Sequence, residues 1–132
     1  MIEFLLSWHV GIANKMQGGR KKGPNWNDIE KVLLEAWNTT GTVTIDIVSG
    51  RDIGPQRLQV QTENRMAIIT LGVDNGEDYI VRSYSSSKSS LENVEILGNL
   101  WAETSICSNY DDVIRSFKEF FENGDVSGEL LS

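Results

Sequence analysis

The chain carries one cysteine, one histidine and two prolines among its 132 residues, and each scarcity excludes something. Cys107, alone, can close no intrachain disulfide, which is the usage expected in a reducing cytoplasm. One Cys and one His cannot compose the usual four-ligand zinc site, and no stretch has the spacing of an EF-hand calcium loop. A serine triad or a Cys–His pair would each have to recruit His9, and no Gly-x-Ser-x-Gly elbow is present. No run approaches the roughly 18 apolar residues of a membrane span. The first residues, Met1 to Leu6, include Glu3 but no basic residue, and Ser7 and His9 interrupt the apolar stretch, so it does not read as a signal peptide. A cytoplasmic protein without membrane contact is the expectation.

What the chain does have is acid, unevenly placed. Residues 1–72 hold eight Lys/Arg against seven Asp/Glu, a balance of +1, whereas residues 73–132 hold four against twelve, a balance of −8. The two halves make up the net charge of −7. A fold does not require such a bias, since mixed charges solvate a surface equally well. A concentrated acidic face focuses potential and speeds capture of a basic partner. It disfavours nucleic acid, whose phosphates call for a net basic surface.

The length fits one domain, since domains most often run to about 100–150 residues. Residues 2–10 read as a first strand, and Lys15 to Gly23 as a polar basic loop in which Gly18-Gly19-Arg20-Lys21-Lys22-Gly23 is the candidate mobile segment. Asn25 or Asn27 can cap a helix whose Trp26, Ile29, Val32, Leu33, Ala36 and Trp37 mark one buried stripe. The period then changes to two. Val43, Ile45 and Ile47 form one strand, and Leu58, Val60 and Thr62 a second. Met66 to Val73 is nearly continuously apolar and is expected near the centre of a sheet. Asn75-Gly76 predicts a hairpin turn back into Tyr79–Tyr84. Ser83 to Ser90 reads as a polar loop, Val94–Leu97 and Trp101–Cys107 as short strands around Gly98-Asn99. A last helix follows, capped by Ser108 or Asn109, apolar at Val113, Ile114, Phe117, Phe120 and Phe121, and ended by Asn123-Gly124. The tail from about residue 125 to 132 is expected to be loose. The sum is a single α+β domain over residues 1–132: an antiparallel sheet of five to six strands, two helices on one face, and water on the other.

Catalytic constellations are thin. His9 stands alone in an apolar strand, and Cys107 follows Ile106 where a small buried residue fits. Gly18–Gly23 lacks the Lys-Ser/Thr ending of a phosphate loop. Glu77/Asp78 and Asp111/Asp112 are explained by a turn and a helix start. The expectation is therefore a protein that is not an enzyme and takes no cofactor or metal. Glu77, Asp78, Glu92, Glu95 and Glu103, on turns and short strands after position 73, are the candidate partner-binding residues, with Trp101 as an aromatic anchor.

Two stretches carry a family likeness: Gly19-Arg20-Lys21-Lys22-Gly23-Pro24-Asn25-Trp26 with Gly41-Thr42-Val43-Thr44-Ile45, and Ile96-Leu97-Gly98-Asn99-Leu100-Trp101 with Asp111-Asp112-Val113-Ile114 and Phe117 to Ser127. In them the chain resembles small bacterial immunity proteins of polymorphic toxin systems, including those of contact-dependent growth inhibition. The resemblance implies a compact α+β domain that binds and blocks the toxin domain encoded beside it, and it brings no catalytic residues. A basic nuclease toxin, met by a monomer or weak dimer, is the expected partner. Two other readings compete. A small-molecule-binding or enzymatic domain would gather His9, Arg82 and carboxylates in one cleft. A structural subunit of an assembly would show a large apolar patch.

Overall fold

The computed structural model describes residues 2–86 and 92–132. Strand β1 (Glu3–Gly11) leads through a 3-10 turn at Ala13–Lys15 into β2 (Gln17–Lys22), and helix α1 (Trp26–Asn38) follows. Then come β3 (Thr40–Ser49), β4 (Gly54–Glu63), β5 (Met66–Asp74) and β6 (Tyr79–Ser83). A separate hairpin of β7 (Asn93–Ile96) and β8 (Asn99–Ala102) precedes a 3-10 turn at Glu103–Ser105 and helix α2 (Tyr110–Asn123). Strands β1 to β6 form one antiparallel sheet in the order β2-β1-β3-β4-β5-β6. The fold is α+β, as the periodicities predict.

Strand alternation sorts the sheet between two faces. Leu6, Ile45, Leu58 and Leu71 lie opposite one another across four strands, as do Val43, Val60 and Ile69 across three. Both helices cover this inner face. Ile29, Leu33 and Ala36 of α1 and Val113, Phe117 and Phe120 of α2 are fully buried in the same core. Asn25 caps α1 reciprocally with Asp28, its side chain accepting from the Asp28 N–H while the Asp28 carboxylate accepts from the Asn25 N–H, each at 2.9 Å. Thr62 is buried and donates its hydroxyl to the Ala36 carbonyl at 2.6 Å, tying the end of α1 to β4. Phe121 leaves the narrow stripe of α2 to meet Phe4 at 5.5 Å and Trp26 at 6.2 Å between ring centroids.

Four expectations need correction. The basic segment expected as a mobile loop is an edge strand, β2, paired to β1. Its glycines make this possible: the Trp8 indole lies across Gly19, where a Cβ would sit 2.5 Å from the ring. β5 is the penultimate strand, not a central one. Its run of apolar residues arises because both of its faces are covered, Ala67, Ile69 and Leu71 by the helices and Ile68 by the β7–β8 hairpin. That hairpin also means the outer face is not wholly open to water. The tail is not loose: Val126, Leu130 and Leu131 are buried, and Leu131 bridges to Tyr84 in antiparallel sense. Of the serine-rich segment, residues 87–90 lie outside the described residues.

Candidate functional site

Because β2 and β6 are the two edges of one sheet, the charge asymmetry of the sequence becomes an asymmetry in space. Arg20, Lys21 and Lys22 stand on one edge, and Asp74, Glu77 and Asp78 flank the other, roughly 24 Å away at about 4.8 Å per strand. Lys21 is drawn to the helix side by Asp28 at 2.9 Å, while Arg20 and Lys22 alternate to the outer face.

The acidic end is built by the β5–β6 turn. Asp74 Oδ1 accepts from the Gly76 N–H at 2.9 Å. Asn75 Oδ1 accepts from the N–H groups of Glu77 and Asp78 at 2.9 and 2.7 Å. The side chains of Asp74 and Asn75 thus hold the turn, and those of Glu77 and Asp78 are left to solvent, with no ion pair among the described residues. Nearby cations are already engaged. Arg57 pairs with Asp46 at 2.5 Å. Arg51 donates to the carbonyls of Pro55 and Gly124. Arg82 donates to the carbonyls of Leu131 and Val126 and to the Asp125 carboxylate.

The six candidate partner-binding residues do not form one patch. Glu77 and Asp78 lie beyond the Asp74 end of β5, while Glu92, Glu95, Trp101 and Glu103 belong to the hairpin region that packs over Ile68 near its other end. From Ile68 to Asp74 the strand runs roughly 20 Å. Within the hairpin, Glu95 opposes Leu100 on the outward side. Trp101, expected as an interface anchor, opposes Val94 and packs with it against the small core of Ile68, Ile96 and Ile106. The hairpin is fastened to the sheet by Leu97, which takes a positive φ of 50° in the turn and donates its N–H to Glu63 at 2.8 Å.

Sequence reasoning missed the apolar character of the β6 edge. Tyr79 is 58% exposed, Val81 61%, and Ile53 in the β3–β4 loop 62%. The signal was present: Tyr79-Ile80-Val81 is a continuous apolar run, which a half-covered edge strand cannot bury on both faces.

The side chains a cleft enzyme would need are apart. His9 is on the outer face of β1, beside Ser7, Thr42 and Thr44 in a depression of about 240 Å³. Cys107 is in the core on the helix side, bridged to Ala67. Burial, with the charge of Asp112 adding to it, pushes its thiol up to about 11. A larger cleft, about 760 Å³, opens between the start of β1 and the end of α2. Phe4, Leu5, Pro24, Val48 and Phe121 line it together with Glu3 and Lys22, and neither His9 nor Arg82 is in it. No group of three or more His, Cys, Asp or Glu able to hold a metal gathers among the described residues, and no helix there is long and apolar enough to cross a membrane.

Residues 6–130 match the model of a family of unknown function (DUF6911). No curated protein matches the sequence. The crystal structure of a hypothetical protein from Neisseria gonorrhoeae shares the fold, with a TM-score of 0.77 over 95% of this chain and 91% of its own, at 15% identity.

Proposed function

The chain belongs to DUF6911, a family of unknown function, and we propose that it is a binding module: an immunity protein that neutralises a basic toxin domain, most simply a nuclease, by covering its active site. The observation that carries this reading is the exposed acidic turn at the β6 edge, where Glu77 and Asp78 project from a fixed turn and the neighbouring arginines are held by other partners. Nucleases attract phosphate with Lys and Arg, so an acidic surface fits their active sites as a mimic of the substrate. The resemblance to immunity proteins of polymorphic toxin systems points the same way. On this reading the protein has no turnover of its own and acts in the cytoplasm.

The test is co-expression with the toxin domain encoded by the neighbouring gene. Cells should survive when this chain is present, and the two proteins should purify as a one-to-one complex. Survival without a complex, or with a variant carrying His9→Ala and Cys107→Ala failing to protect despite an unchanged melting temperature, would favour an enzymatic role instead.

A further inference from the structure

We infer that the outer edge of β6 receives an extended, lysine- or arginine-bearing segment of a partner protein as an added antiparallel strand. The inference rests, for the partner's charge, on the binding-module reading above.

The hydrogen-bond directions along β6 are set by its pairing. Tyr84 donates its N–H inward to the Ile69 carbonyl, while Ser83 exchanges two bonds of 3.2 Å outward with Ser132. Antiparallel strands alternate in this respect, so the N–H and C=O of Val81 and Tyr79 also point outward, away from β5. No strand lies beyond them among the described residues. Residues 131 and 132 therefore show this edge accepting an antiparallel strand beside Tyr84 and Ser83, and Val81 and Tyr79 lie next along the same edge.

The side chains suit an occupant. Natural edge strands are usually blunted by charge, and β2 on the opposite edge follows that rule with Arg20, Lys21 and Lys22. β6 instead offers Tyr79, Ile80 and Val81, all exposed, with Ile53 beside the turn. Tyr79 lies across Gly72, where any Cβ would collide with its hydroxyl, so the ring is seated on the sheet instead of folded over the edge. Glu77 and Asp78 stand in the turn that leads into its far end, and Arg51, Arg57 and Arg82 are engaged elsewhere. Backbone pairing supplies the affinity of strand addition, and the flanking carboxylates select a basic strand.

The experiment uses the full chain, amide-resolved NMR, and a short peptide alternating lysine and valine, with a glutamate–valine peptide as control. The basic peptide should slow exchange of the Tyr79 and Val81 amides about tenfold or more, and the acidic one should not. Val81→Pro removes an outward N–H without touching the β5 ladder and should weaken binding about tenfold. If that variant melts lower, amide protection in the unsubstituted chain decides alone. Protection mapping to the apolar cleft or to β2, or an unaffected Val81→Pro, overturns the inference. So does concentration-dependent self-association through the same amides, which would make a second copy, offering its basic β2, the occupant. Peptide capture at the edge together with no complex with the neighbouring gene's toxin domain would sink the immunity reading and keep the edge. A toxin complex that leaves the Tyr79 and Val81 amides unprotected would do the reverse.

Discussion

Arg82 joins the last strand of the sheet to the end of the chain. Its guanidinium donates to the Leu131 carbonyl through Nε and Nη2 at 3.1 and 2.8 Å, to the Val126 carbonyl, and to Asp125 at 2.9 Å. Hydrogen bonds to charged groups contribute more than neutral ones, and buried carbonyls left without a donor are costly. Arg82→Met should therefore cost about 2–3 kcal/mol and raise amide exchange across residues 125–132 well before the helices open. Unchanged protection there would mean that Leu130 and Leu131 hold the tail by packing alone. Cys107 sets a second residue-scale expectation. Its thiol is pushed from an ordinary 9.0 up to about 11 by burial, and Tyr110 from 10.0 up to about 12 for the same reason. The folded protein thus keeps protons that the unfolded chain releases, so stability should fall as pH rises from about 9 toward 12. Thiol-reactive dye at pH 8 should label Cys107 only on unfolding; fast labelling of the native protein would show that the site is open.

At the scale of elements, strand β2 is the clearest case of tertiary pairing overriding propensity. Gln17 to Lys22, with two glycines and three cations, has no strand signature of its own. It becomes one because β1 supplies a ladder and Trp8 needs a partner without a side chain. Gly19→Val should displace the indole and cost about 1–3 kcal/mol, with a change in tryptophan fluorescence. Gly18→Val, where a Cβ would meet its nearest neighbour at 3.4 Å, should be tolerated. Equal losses in the two variants would mean that strand flexibility, not the Trp8 contact, requires glycine. The helices were legible for opposite reasons: caps at Asn25 and Asn109, stripes of period 3.6, and an αL Gly124 at φ 73° all coincide with local sequence. β3, β4 and the β5–β6 turn were legible too. The tail was not, because its order depends on an arginine more than 40 residues away, which no local pattern reveals.

At the scale of the molecule, sheet order turns a charge bias along the chain into a basic edge and an acidic edge. That step needs topology: residues 15–22 and 74–78 read as unrelated until β2 and β6 prove to be the two ends of one sheet. Likewise the candidate acids were legible as exposed turn and strand residues, but their division between the β5–β6 turn and the hairpin followed from where β7 and β8 pack. The central claim is that the acidic edge captures a basic toxin domain. The most direct measurement is the association rate with the neighbouring gene's toxin domain against ionic strength, for the natural chain and for Glu77→Lys with Asp78→Lys. Steering predicts a rate that falls steeply with salt for the natural chain, and a double variant that associates about tenfold or more slower at low salt with a flattened dependence and an unchanged melting temperature. Rates insensitive to salt in both proteins, with equal affinity, would contradict the account and leave the acidity of this edge without a role in binding.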